Sequence, residues 1–140
     1  MFPFLNVSYR IPYLRQEFLT RPLRNNGGMT KVDRALAIET AIDALANPSD
    51  LEILANGVRT SLEWFAEQNP GRAVEVRVPP YLAVQILGGT THRRGTPPAV
   101  VEMSPQTWLE LFTQKLTWAD AVAAGKITAS GERSDLSELL

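Results

Sequence analysis

The chain has 140 residues, of which 44% are hydrophobic and 21% charged, proportions that are typical of one globular domain. It contains no cysteine and a single histidine, which excludes disulfides, thiolate nucleophiles, iron–sulfur clusters and metal sites built from cysteines or from two histidines. The formal net charge of −1 is unlike that of a dedicated nucleic-acid-binding protein. We therefore predict no metal, no other cofactor and no nucleic-acid partner, and we expect a cytoplasmic location.

The N-terminal segment differs from the rest of the chain in its charge. Residues 1–28 contain four arginines against one acidic residue, Glu17, and end in Asn25-Asn26-Gly27-Gly28, a typical linker. Since Met29 then directly precedes a helical pattern, we divide the chain into an extension, 1–28, and a domain, 29–140. The extension is either flexible or the result of a start assigned upstream of Met29; packing on the domain and transient contact with a membrane surface are the alternatives. No apolar stretch is long enough for a transmembrane helix.

Two helices are predicted directly after the linker. Thr30 is a suitable N-cap for the first, whose apolar residues recur at helical spacing until Asn47-Pro48 ends it. Ser49 is a suitable N-cap for the second, which ends at Asn69-Pro70-Gly71. Gly57 weakens the interior of this second helix, so its presence indicates close packing against a neighbour.

Three strands follow, because the hydrophobic period changes from 3.6 to 2. Val74 to Val78 alternates apolar and polar residues, and Pro79-Pro80 ends that strand or places it at an edge. Tyr81 to Leu87 is apolar at nearly every position, which is typical of a strand covered on both faces. After a polar loop, 90–98, the segment Ala99 to Met103 is predicted as the third strand.

The C-terminal part returns to helical patterns. Ser104-Pro105 combines an N-cap with proline at the first helical position, and Thr117 caps a shorter helix that ends at Gly125. Lys126 to Ala129 is predicted as a fourth strand, and Asp135 to Leu140 as a terminal helix. A run of strands with helices on either side of it in the sequence predicts an α+β fold.

An ordered set of motifs in this C-terminal part resembles a known family. Trp118-Ala119-Asp120-Ala121-Val122 is followed by Gly125-Lys126-Ile127, and then by Gly131 with Leu136 and Leu139. The order of a helix, a short helix ending in Gly-Lys-hydrophobic, and a strand closing at glycine is similar to that of sterol-carrier-protein-like domains. The tripeptide Gly-Lys-Ile alone does not identify this family, whereas the ordered set of motifs is more specific to it.

The loop and third strand narrow this resemblance. Residues 91–102 resemble the compact actinobacterial branch known as bacterial sterol-carrier orthologues, which is related to the C-terminal domain of mycothiol-dependent maleylpyruvate isomerases. The resemblance covers about residues 31–140. It implies helices packed on one side of a curved, mostly antiparallel sheet, with an apolar tunnel between the two layers that accepts fatty-acyl, sterol or similar ligands.

Candidate residues for the wall of this tunnel are apolar residues of the second strand and of the two C-terminal helices. They are Val84, Ile86, Trp108, Leu111, Phe112, Leu116, Trp118 and Val122. The helical members form an amphipathic stripe, and an ordinary hydrophobic core has the same pattern. The stripe therefore predicts buried side chains, and a ligand cavity only if some of the space between them is left unfilled.

His92, Arg93 and Arg94 form a concentrated basic group in the polar loop. Guanidinium groups bind carboxylates and phosphates through paired hydrogen bonds, so this loop is a candidate site for a ligand headgroup. A solvent-exposed loop tip, or arginines paired with Glu75 or Glu102, is the alternative. His92 lacks the further histidine or cysteine that would make it a metal ligand.

The residues favour binding over catalysis. The sequence contains neither a Gly-x-Ser-x-Gly motif nor a phosphate-binding loop, and we assign no catalytic residue. We therefore expect a non-enzymatic domain whose partner is a lipid or another amphipathic small molecule. The alternatives are an interaction module without a ligand and a partner domain of a mycothiol-dependent enzyme.

Overall fold

The computed structural model describes residues 32–88 and 99–140, which form four helices and four strands. In chain order these are α1 (Arg34–Ala46), α2 (Leu51–Gln68), β1 (Val74–Val78), β2 (Leu82–Ile86), β3 (Ala99–Met103), α3 (Pro105–Phe112), α4 (Trp118–Ala123) and β4 (Ile127–Ser130). The predicted extension and the basic group His92 to Arg94 lie outside the described residues. None of the described helices is both long and apolar enough to cross a membrane.

Each helix begins at a side chain that accepts hydrogen bonds from its first turn. Ser104 and Thr117 cap α3 and α4, which confirms both predictions. The prediction for α2 was wrong by one residue, because Asp50 is the cap and its Oδ1 accepts from the backbone N–H of Glu52 and of Ile53, both at 3.1 Å. Asp33 caps α1, which places the start of this helix after the predicted Thr30, a residue outside the described chain. All four caps are residue types that favour this position.

Helices α1 and α2 pack closely where α2 has a glycine. A Cβ atom at Gly57 would lie 2.4 Å from the Cβ of Ala44 and 2.7 Å from the carbonyl oxygen of Thr40. Only a residue without a side chain fits such a distance, so the close packing predicted at Gly57 is confirmed. This contact fixes the position of α1 on α2.

The four strands form one open sheet in the order β2-β1-β3-β4. The pairs β1–β2 and β3–β4 are antiparallel, whereas the central pair β1–β3 is parallel. A mixed sheet that is mostly antiparallel, together with the helices, confirms the predicted α+β fold.

The helices cover one face of this sheet. In β1, the side chains of Val74, Val76 and Val78 are buried against them, and those of β3 alternate in the same way. On the other face, the Nε of Arg77 donates to the Oε1 of Glu75 at 2.5 Å, a hydrogen bond that raises the pKa of Arg77 above its usual value. The sheet is therefore polar on its outer face and apolar on its inner face, as a half-covered sheet requires.

Two predictions, one on the burial of β2 and one on a helix at the C-terminus, were wrong. Strand β2, which lies at an edge of the sheet, is not covered on both faces, because the side chains of Ala83 and Gln85 are exposed. The predicted terminal helix is absent from the described C-terminus, where residues 137–139 form a turn after the buried Leu136. Six residues are marginal for a helix by themselves, and Leu136 and Leu140 pack on the core without one. The fourth strand is confirmed one residue later than predicted, at Ile127–Ser130.

Candidate functional site

Trp108 of α3 is the largest fully buried side chain in the described core. Its indole Nε1 donates to the hydroxyl oxygen of Ser61 at 2.8 Å, and that hydroxyl donates to the carbonyl oxygen of Gly57 at 2.6 Å. The polar group of the indole is therefore paired although it is completely removed from water, which avoids the cost of an unpaired buried donor.

An aromatic cluster surrounds this indole. The ring of Trp108 lies 5.2 Å from that of Phe65, edge to face, and 5.6 Å from that of Phe112. Phe112 in turn contacts Trp64, with ring centroids 5.8 Å apart. Edge-to-face pairs of this kind contribute about 0.5–1.5 kcal/mol beyond burial of their area. The cluster ties α2 to α3.

The residues predicted to line a tunnel differ in their burial. Ile86, Trp108 and Leu111 are buried, whereas Val122 on α4 keeps half of its side-chain surface exposed (50%). The other four, Val84, Phe112, Leu116 and Trp118, are half-buried and pack on the core. The structure thus joins seven of the eight to one hydrophobic core and leaves Val122 at its surface. Their role as a ligand wall stays a prediction.

A cleft of about 580 Å³ lies on the opposite side of α3, between that helix and the turn that joins α1 to α2. We call it the interhelical cleft. Its lining is apolar toward the interior and polar at the opening, and comprises Ala44, Leu45, Pro48, Leu54, Ser104, Pro105, Gln106, Leu109, Glu110 and Lys115. The volume is within the range of about 300–1,000 Å³ that is usual for small-molecule sites.

The interhelical cleft lies where two helix boundaries meet. Asn47-Pro48 separates α1 from α2, and Ser104-Pro105 starts α3 abruptly, with the Ser104 hydroxyl accepting from the backbone N–H of Thr107 at 3.2 Å. With Trp108 anchored in the core, α3 turns Leu109 and Gln106 toward the cleft. Both proline-containing boundaries thus border the cleft.

The polar groups of the interhelical cleft lie along α3. The side-chain Nε2 of Gln106 donates to the Oε1 of Glu110 at 2.9 Å. The backbone N–H of Lys115 donates to the carbonyl oxygen of Glu110 at 2.8 Å, so that Lys115 follows the helix at the same end of the cleft as Glu110. The cleft therefore offers one carboxylate, one ammonium group and one amide.

A second, smaller cavity of about 180 Å³ lies at the other end of the helices. Its lining includes Arg34 of α1, Trp64 of α2 and Phe112 of α3, together with the C-terminal Leu139 and Leu140. Phe112 is the predicted tunnel residue that borders it. This space is below the usual size of a ligand site, which leaves the interhelical cleft as the better candidate.

Sequence reasoning missed the interhelical cleft. The stripe on α3 pointed to Trp108 and Leu111, which face the core, rather than to Gln106 and Glu110, which face away from it. The available signal was the pair of proline-containing helix boundaries, since a proline at each boundary sets the helix ends apart. That signal predicts a gap but does not give its width.

These features define a small α+β domain with a partly apolar cleft between its helices. The family model described as Bacterial SCP ortholog matches residues 50–140. The chain therefore belongs to this sterol-carrier-protein-like family, as its C-terminal motifs predicted. No curated protein matches the sequence. The relation to an actinobacterial branch and to maleylpyruvate isomerases stays a prediction.

Proposed function

We propose that this chain is a small cytoplasmic binding domain of the sterol-carrier type, which holds a lipid or another hydrophobic ligand. The observation that carries the proposal is the interhelical cleft, which has the volume of a small-molecule site and apolar side chains from three helices. The half-buried Leu45 and Leu54 offer a surface on which a hydrocarbon chain gains about 25 cal/mol for each Å² removed from water, and the buried Leu109 lies beneath them.

The same ligand has a second candidate position in the family resemblance. That position is an apolar tunnel between the helices and the sheet, with Trp108 and Leu111 in its wall and the headgroup at His92, Arg93 and Arg94. The two positions lie on opposite sides of α3, so substitutions on each side distinguish them.

We propose binding rather than catalysis for this domain. Membership of a family of carrier-type domains supports this view. Glu75 also supports it, because its carboxylate lies on the outer face of β1 and is paired with Arg77, on the face of the sheet opposite the helices. A carboxylate in that position is suited to the protein surface rather than to acid–base chemistry inside a ligand site.

The proposal is tested by titrating a fluorescent fatty acid, 11-(dansylamino)undecanoic acid, into the full chain and into three variants. Leu54→Trp places a large ring in the interhelical cleft without disturbing a fully buried position. We expect it to weaken binding by about tenfold or more, which corresponds to about 1.4 kcal/mol. Leu51→Trp makes the same change at an exposed site in the first turn of α2, outside the lining of the cleft; it is the matched control and should bind as the unchanged chain does.

The third variant, Leu111→Trp, separates the cleft from the tunnel. If Leu111→Trp, shown by circular dichroism to be folded, does not bind while Leu54→Trp does, the ligand occupies the tunnel and the assignment to the cleft is wrong. If the unchanged chain binds no probe, and native mass spectrometry finds no lipid on the purified protein, the binding function itself is wrong and an interaction module without a ligand replaces it.

A further inference from the structure

The interhelical cleft has two opposite charges at one end. Glu110 lies in the last turn of α3, and Lys115 follows three residues after the helix ends. The hydrogen bond from the backbone N–H of Lys115 to the carbonyl oxygen of Glu110, at 2.8 Å, keeps the two residues next to each other. An apolar wall and a charged end make the cleft amphipathic along its length.

The side chains of Glu110 and Lys115 do not form an ion pair with each other. The ion pair found among the described residues joins Arg77 to Glu75, and neither Glu110 nor Lys115 forms one there. The carboxylate of Glu110 is half-buried and oriented by Gln106, whose amide occupies its Oε1 and leaves its second oxygen for another partner. The Lys115 side chain is exposed and has three N–H donors to offer.

We infer that the ligand of this cleft is a single-chain amphiphile with a zwitterionic headgroup. The hydrocarbon chain lies on Leu45 and Leu54, the anionic group of the head binds Lys115, and its cationic group binds Glu110. A purely anionic head is attracted by Lys115 but repelled by Glu110. A purely cationic head is attracted by Glu110 but repelled by Lys115. A head with both charges satisfies both side chains. This inference rests on the proposed function, because it requires that the cleft holds a hydrocarbon chain.

The test compares four probes that share a dodecyl chain and differ in the charge of the head. They are dodecylphosphocholine, dodecyl sulfate, dodecyltrimethylammonium and dodecyl maltoside, each titrated calorimetrically below its micelle concentration. We expect dodecylphosphocholine to bind most tightly, by about three- to fivefold over the other three, since partly exposed ion pairs give modest gains.

Two variants identify the side chains responsible. Lys115→Gln should shift the preference toward dodecyltrimethylammonium, and Glu110→Gln should shift it toward dodecyl sulfate, while its amide oxygen still accepts from Gln106. Lys126→Gln and Glu132→Gln change the same charges at exposed positions outside the lining of the cleft, and should leave the order of affinities unchanged.

The outcomes separate this inference from the proposed function. Equal affinity for the four probes, tightest binding of a probe other than dodecylphosphocholine, or equal effects of cleft variants and control variants would each overturn the zwitterion inference and leave hydrocarbon binding standing. If none of the four probes binds the unchanged chain, the proposed function fails and this inference fails with it.

Discussion

The polar groups on the two sides of helix α3 differ in how fully they are hydrogen-bonded. On one side, Trp108 is completely buried and its indole N–H is paired with Ser61, so that the space around it is filled and its hydrogen-bonding capacity is used. On the other side, Gln106 and Glu110 line a cleft and retain capacity for further hydrogen bonds. A filled side with paired polar groups stabilises the fold, whereas the open side, whose polar groups can form further hydrogen bonds, is where we propose that a ligand binds.

The largest effect on stability is expected from a substitution on the filled side of α3. Trp108→Ala should lower the free energy of unfolding by about 3–5 kcal/mol, because it leaves a cavity beside Phe65 and Phe112. Urea denaturation followed by circular dichroism measures this loss. Trp118→Ala, at a half-buried position on α4, is the control and should lose clearly less. Equal losses in the two variants would show that Trp108 is not the anchor of this core.

An intermediate effect on stability is expected when the hydrogen bond of the Trp108 indole is removed. Ser61→Ala removes the acceptor and leaves a buried donor unpaired, which should lower the free energy of unfolding by about 1–3 kcal/mol. Trp108→Phe removes the donor, and in combination with Ser61→Ala it removes both partners. The double variant should therefore be less destabilised than the sum of the single variants. Additive losses in this double-mutant cycle would contradict a direct bond.

The smallest effect on stability is expected on the open side. Gln106→Ala removes an exposed side chain whose partner, Glu110, remains in contact with water, so the free energy of unfolding should change by no more than about 0.5 kcal/mol. The same denaturation measurement detects it. A loss comparable to that of Ser61→Ala would mean that the two sides of α3 do not differ as the structure indicates.

Local signals in the sequence predicted much of the fold. Ser104 and Thr117 were identified as caps because each precedes an apolar helical pattern with no competing cap beside it. At α2 the neighbours Ser49 and Asp50 are both good caps, and local sequence does not distinguish them; the carboxylate of Asp50 receives two N–H groups. The prediction that β2 is covered on both faces failed because an apolar composition does not show whether anything packs on the second face of a strand.

The candidate site was harder to predict, for reasons of distance along the chain. The partner of Trp108 is Ser61, 47 residues earlier, and no local pattern connects them. The interhelical cleft likewise combines residues of α1 and α2 with residues of α3. Such a space depends on how helices are placed by tertiary contacts, among them the close approach of Gly57 to Ala44. Periodicity shows which face of a helix is apolar, but it does not show which other element packs against that face.

The parallel pairing at the centre of the sheet has a consequence for the order of folding. Val76 pairs with Val84 across the β1–β2 hairpin and with Val101 across the central pair, so one strand takes part in a short-range and a long-range contact. Closing the longer loop costs more chain entropy, at about 0.6 kcal/mol for each doubling of length. We therefore expect the hairpin to form early and to act as the template on which β3, and after it β4, is added.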